Sequence, residues 1–172
     1  ASKIIADKKG PLLSADKVVK KLYNQKKFKR ILSKKLNFGN DKNFKKNLKN
    51  KILKKKEILG KLEKIIHPLV RKKMFIFLKK NVKKNFLFLE TPLLVESKLA
   101  KYFDVIIFIK SNKNLRLKRF MLRGGSPNLF SVLDNHQIKD SKKMKFCDHI
   151  VVNNKSLSVL KKNLSNIIYS YE

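Results

Sequence analysis

The chain has 172 residues, 42% of them hydrophobic, with 44 Lys+Arg against 12 Asp+Glu and a formal net charge of +32. That length suits one domain with a real core. No apolar run approaches the roughly 18 residues of a membrane span, and the first residues carry no signal-peptide core. The single cysteine, Cys147, rules out an internal disulfide and fits a reducing compartment. His67, His136 and His149 lack zinc-ligand spacing with it.

So much positive charge points first to nucleic acid. Arginine, however, occurs five times against 39 lysines, and Asn, Ile and Phe are abundant beside them. That combination suits A+T-rich coding DNA. The lysines also run through every predicted helix rather than along one stripe, so much of the charge reads as a solvated surface that attracts polyanions, nucleotides included.

In chain order, Ala1 to Lys9 has Ile4 and Ile5 among polar residues and reads as a helix, with Gly10 as its stop and Pro11 barring continuation. Leu12-Leu13 is a short strand, and Asp16 lies at the junction with the next helix, where a plain N-cap is its simplest role. From about residue 17 to 80 the pattern is helical. Phe28, Ile31, Leu32 and Leu36 share one face, and Phe44, Leu48, Ile52 and Leu53 another, with a turn at Asn37 to Asp41 between. His67-Pro68 breaks the run and opens a helix from Leu69 to Lys80.

Asn85 to Glu96, NFLFLETPLLVE, is the stretch around which the rest is arranged. Phe86 to Leu89 reads as a buried strand, Glu90 stands at its end, Pro92 stops the ladder, and Leu93 to Val95 continue as an apolar segment closed by Glu96. Residues 104–109, DVIIFI, form another apolar strand. Asn112 to Arg123 is an amphipathic helix carrying Arg116, Arg119 and Arg123, followed by a hinge-like Gly124-Gly125 loop, helix from Asn128 to about Met144, a strand at Asp148 to Val152 and a last helix from Ser156. All-apolar strands alternating with helices imply an α/β protein with a parallel sheet covered on both faces. In such sheets ligands bind beyond the carboxyl ends of strands, which is where Glu90 falls. Guanidinium forks fit phosphate as ammonium groups do not, so three clustered arginines in a lysine-dominated chain suggest a phosphate clamp.

Several stretches together resemble the dephospho-coenzyme A kinases. ETPLLVE resembles that family's D-x-P-L-L-x-E, with Glu90 for the usual aspartate. LSADKVV resembles its D-A-D, with Ser14 and Asp16 at the two acidic positions. IIHPLVR, LRLKRFMLRGG, NHQ and CDHIVVNN resemble its helix boundary, lid helix and last strand. The resemblance implies a P-loop kinase-like, three-layer α/β fold with a helical acceptor lobe at about 17–80 and a lid at about 112–145. It implies transfer of the ATP γ-phosphoryl to the 3′-hydroxyl of dephospho-coenzyme A, the last step of coenzyme A synthesis in the cytoplasm. Asp16 would take or orient the hydroxyl proton, and Glu90 would hold Mg2+ through water. Arg119 and Arg123 would neutralise the transferring charge and, with Asn153 and Asn154, face the nucleotide. His67, Arg71, Pro92, Leu93 and Leu94 would meet the acceptor, with Lys45 nearby where the family often has arginine.

The family opens with a strand and a G-x-x-x-x-G-K-[ST] phosphate loop, and none of the five glycines here precedes a Lys-Ser or Lys-Thr pair. Ala1 to Lys9 matches the helix after that loop, so the sequence reads as lacking the first strand and the loop at its N-terminal side. Two other readings stand beside this one: a basic nucleic-acid binder, whose affinity would fall steeply with salt, and a catalytically inactive remnant of the same fold.

Overall fold

The computed structural model describes residues 1–7, 9–38 and 43–172. In chain order its elements are α1 (Ser2–Ala6), β1 (Leu12–Ser14), α2 (Ala15–Asn24), α3 (Lys26–Leu36), α4 (Phe44–Lys54), α5 (Glu57–Lys80), β2 (Phe88–Glu90), β3 (Ile107–Lys110), α6 (Lys113–Met121), α7 (Pro127–His136), α8 (Asp140–Met144), β4 (His149–Val152) and α9 (Leu157–Tyr169), with a 3-10 turn at Ala100–Tyr102. The class is α/β, as the alternation of elements predicts. Gly39, Asn40 and Asp41 of the predicted turn lie outside the described residues. The chain divides by its packing into two units, Ala1–Leu12 with Lys83–Glu172, and Leu13–Val82.

In the first unit β3 and β4 pair in parallel, Ile107 opposite His149 and Lys110 opposite Val152. β2 pairs with β1 in a separate two-stranded ladder. Pro11 has no amide hydrogen and offers only its carbonyl, which accepts from Phe88 N at 3.0 Å. Pairing therefore starts at Phe88, two residues later than the apolar run suggests. Gly10 is needed for close approach rather than as a left-handed helix stop: a Cβ there would meet the Phe86 carbonyl oxygen at 2.3 Å.

Two apolar clusters hold this unit. Ala6, Phe88 and Ile168 form one, and Val151, Leu160 and Leu164 the other, with Ile5 and Ile107 packed against both. α9 thus covers one face of the β3–β4 ladder and carries α1. Burying side chains such as Leu160 and Leu164 contributes about 1.5–3 kcal/mol each.

Elsewhere in this unit the chain turns where the sequence suggested it would run straight. Leu93 to Val95 lie in a tight turn, with Ser97 N on Leu93 O at 2.9 Å, Leu99 N on Leu94 O at 3.1 Å, and Lys98 at φ 56°. The helix expected from Asn128 to Met144 is interrupted between α7 and α8. Gln137 is extended, and Ile138 N donates to the Glu96 carboxylate at 3.1 Å instead of to a helical carbonyl. Gly124-Gly125 closes α6 as a helix stop. Gly124 adopts φ 83°, its N–H reaches Met121 O at 2.9 Å, and Gly125 N reaches Phe120 O at 3.1 Å, the Schellman pattern.

The second unit is helical after the end of β1. Leu32 and Phe44 are fully buried at its centre, with Phe28, Leu48, Ile52, Ile58, Leu59, Leu62 and Ile66 around them. Tyr23 meets the Phe28 ring edge-on at 5.8 Å and Phe44 at 6.2 Å. α5 runs unbroken through Pro68, against the expected break at His67-Pro68. Proline inside a helix removes one hydrogen bond and crowds the preceding turn. Here the buried face on both sides, Ile58, Leu59, Leu62 and Ile66 before it and Met74 after, offsets that cost.

Replacing Pro68 by Ala should therefore stabilise the protein by about 1–3 kcal/mol, measured by denaturant unfolding; a loss of stability would contradict this account of α5. Burial pushes the Tyr23 phenol up from its ordinary 10.0 to about 12. A raised folded-state pKa contributes stability that is present below the ordinary value and lost as pH rises through the folded one. Unfolding free energy should accordingly fall between pH 10 and about 12, and Tyr23→Phe should flatten that fall.

Candidate functional site

The parallel register brings the carboxyl ends of β3 and β4 level, and the residues that follow them lock together. Ser111 Oγ donates to Asn153 O at 3.0 Å, Asn112 N to Asn154 Oδ1 at 2.9 Å, and Asn154 Nδ2 back to Asn112 Oδ1 at 3.0 Å. Arg119 spans the junction, its Nη1 lying 3.3 Å from Ser111 Oγ and 3.2 Å from Asn153 O. Arg116 Nε donates to Ser111 O at 3.2 Å, and its Nη1 reaches Asp134 on α7 at 2.6 Å. Arg123 is exposed and folds back along its own helix, Nε on Arg119 O at 2.9 Å.

A cleft of about 610 Å³ opens in the same unit. Every residue from Asn85 to Pro92 and from Phe103 to Ser111 touches it. Successive strand residues point to opposite faces, so a cleft touched by all of them is walled by strand edges rather than by a sheet face. β2 is paired with β1 and β3 with β4, and their remaining edges face this space. Ala1, Ser2 and Ile5 line it too, as do Arg116, Asp140 and Lys143.

The structure thus brings Glu90, exposed at the end of β2, together with Pro92, Leu94 and Arg116 around one cleft, and sets Arg119, Asn153 and Asn154 at the strand ends that adjoin Ser111. Leu93 is half-buried in the turn after β2. The remaining predicted residues belong to the second unit. Asp16 is exposed in the first turn of α2, where the N-cap is Ser14, its Oγ accepting from Lys17 N at 3.4 Å. The capping role that Asp16 would most simply fill therefore falls to Ser14. His67, half-buried, and Arg71, exposed, lie one turn apart on α5. Sequence reasoning did not single out Ser111 or Asn112, short polar residues after an apolar strand. Arg116 had been legible as one of the rare arginines.

Charge in this region is balanced locally. Burial works to raise the Asp134 carboxyl, but hydrogen bonds from Arg116 and Lys113 outweigh it and hold the group below the usual carboxylate range. Burial, helped by Asp148 and opposed by Lys143, pushes the Cys147 thiol up, and its Sγ donates to Lys143 O at 3.2 Å, so it is a packed thiol rather than a poised nucleophile. Among the described residues no three His, Cys, Asp or Glu side chains come together to hold a metal ion. No helix there is long and apolar enough to cross a membrane.

A parallel ladder whose strand ends adjoin a cleft, with arginines on the helix that follows β3, is an arrangement suited to a phosphate-bearing ligand. A model of the dephospho-CoA kinase family (CoaE) matches residues 1–158, and the chain belongs to that family, whose members are ATP-dependent kinases. It is 27% identical over 169 residues to the dephospho-CoA kinase of Rickettsia bellii, covering 98% of this chain and 88% of the relative. It is 30% identical over 164 residues to that of Bartonella henselae, covering 92% and 84%. The match to the Rickettsia typhi enzyme, 28% over 113 residues, covers 65% of this chain and 59% of that one. Among solved structures, dephospho-CoA kinase from Campylobacter jejuni aligns with TM-score 0.61 at 26% identity, covering 98% of this chain and 90% of that one. TT1252 from Thermus thermophilus shares the fold, with TM-score 0.69 at 21% identity over 98% of this chain and 88% of that one.

Asp134→Asn should loosen α6 from α7 and lower stability near neutral pH by about 1–2 kcal/mol. Because the folded-state pKa of Asp134 is depressed, its contribution is present above the ordinary carboxylate value of about 3.9 and lost as pH falls through the lower one. Thermal melts from pH 6 down to about 2 should therefore converge for parent and variant, and a constant gap would refute the assignment.

Proposed function

We propose that this protein transfers the γ-phosphoryl group of ATP to the 3′-hydroxyl of dephospho-coenzyme A in the cytoplasm. The observation that carries the reading is the cleft itself, with Glu90 and Arg116 on its lining and Arg119 bound across the adjoining ends of β3 and β4. Phosphoryl transfer is mostly positioning and charge stabilisation. Arg119 and Arg123 neutralise the moving phosphoryl charge, and Asn153 and Asn154 flank the nucleotide. Asp16 orients the acceptor hydroxyl and takes its proton. His67 and Arg71 on the helical lobe, with Pro92, Leu93 and Leu94, receive the acceptor. Residues 112–145 act as the lid that excludes water.

One exposed oxygen donor on the cleft lining, Glu90, suits a hard divalent cation held largely by phosphate and water. Mg2+ bound there would supply charge compensation to the phosphate oxygens. Glu90 would hold it through water.

The reaction also needs a lysine and backbone amides around the β- and γ-phosphates, which no glycine-rich motif in residues 1–172 supplies. Among the described residues no strand pairs with the edges of β2 and β3 that face the cleft, which supports placing one further strand between the two ladders, joined to a phosphate loop and continuous with α1, whose Ala1 and Ser2 line the same space.

The test is ATP-dependent phosphorylation of dephospho-coenzyme A, with the 3′-phosphate product identified by mass and NMR. A form carrying the additional strand and loop should turn over. Residues 1–172 alone should be near background, and appreciable turnover by them would contradict the proposal. In the active form Asp16→Asn should lower kcat by about 10²–10⁴-fold with an unchanged melting temperature; unaltered turnover removes Asp16 as the base.

A further inference from the structure

We propose that Glu96 is a positioning residue that fixes the foot of the arginine-bearing arm, α6 and α7, through a buried clasp with Lys143 and Gln137. Its Oε1 accepts from Ile138 N at 3.1 Å and from Lys143 Nζ at 3.0 Å, and Lys143 Nζ also donates to Gln137 Oε1 at 2.8 Å. Three segments meet there: the turn after β2, the break between α7 and α8, and α8 itself. Lys143 is 6% exposed, unlike nearly every other lysine in a chain dominated by them.

The clasp continues towards the cleft. Gln137 N caps α7 by donating to Asp134 O at 3.3 Å. The Asp134 carboxylate takes Arg116 Nη1, and Arg116 Nε holds Ser111 O at 3.2 Å. A line of polar contacts therefore runs from the turn behind Glu90 to the end of β3. Breaking α7 at Gln137 costs helical hydrogen bonds, and Glu96 supplies the replacement acceptor for the released Ile138 amide.

Stability alone would not favour this arrangement. Two desolvated charges often do no better than an apolar pair of equal size, and Glu96 Oε2 is buried without a hydrogen-bond partner. What the charged pair provides is a single geometry: Lys143 reaches Glu96 and Gln137 together only when the foot of α7 is in one place. The inference rests on the kinase reading only for what the arm does once it is held.

The test compares the full chain with Glu96→Gln and with the double variant Glu96→Leu/Lys143→Met, by melting temperature and by amide hydrogen exchange. Glu96→Gln leaves a buried ammonium unpaired and should melt lower. The double variant removes the buried ammonium but also the Ile138 acceptor, so it should melt above Glu96→Gln, yet residues 113–138 should exchange about tenfold faster while α9 is unchanged. Parent-like exchange in the arm of the double variant would overturn the proposal, and so would equal acceleration in the arm and α9. In the form carrying the additional strand and loop, calorimetric titration with ATP adds a second readout: affinity should fall about tenfold in the double variant, in step with arm exchange. Failure of that form to bind ATP would count against the proposed function while leaving the exchange result decisive for the clasp.

Discussion

The parallel pairing of β3 with β4 sets the heights of everything that follows them. Because Lys110 stands opposite Val152, the chain leaves both strands at the same level, and Ser111 and Asn153 become neighbours although 42 residues separate them. A slip of one residue would turn each side chain to the other face of the ladder. Val151 would leave the α9 cluster, and Arg119 would lose the two acceptors it now bridges. The register is held by apolar burial on one side, through Val151, Leu160 and Leu164. The polar lock of Ser111, Asn112, Asn153 and Asn154 finishes it. Core packing and the polar lock at the strand ends are thus one construction.

A second constraint is the accounting of backbone hydrogen bonds, since each buried amide and carbonyl needs a partner. It explains several departures from the expected elements. Pro11 delays the start of the β1–β2 ladder, Glu96 takes an amide from the α7–α8 break, and the glycine pair closes α6 by satisfying its last carbonyls. The same accounting makes the space between β2 and β3 the notable feature of the first unit, because among the described residues two strands there present edges with no ladder beside them.

Periodicity alone makes the helices of the second unit legible: Phe28, Leu32, Phe44, Leu48 and Ile52 read as faces and are buried as such, whereas Ile31, grouped with the first face, is 39% exposed. Breaks were harder to read. Pro68 carries a strong local signal, yet α5 passes through it, because tertiary burial on both sides outweighs one lost hydrogen bond. Conversely, nothing local marks Gln137 as a break; its cause is a carboxylate 41 residues earlier in the chain. For the site, residue chemistry in the sequence singled out Glu90 and the arginines. Ser111 and Asn112 went unnoticed because their importance is purely positional, arising from a pairing partner far along the chain.

In any form that leaves them unfilled, the margins of β2 and β3 also bear on how copies of this protein behave in company. Unladdered strand margins are adhesive, since any extended chain can zip onto them. A molecule with +32 formal charge meets its own copies with strong mutual repulsion, so the lysine coat acts as a colloidal spacer that keeps one molecule's margins away from another's. High salt would strip away that protection, which makes dilute electrolyte the condition in which crowded copies stay dispersed.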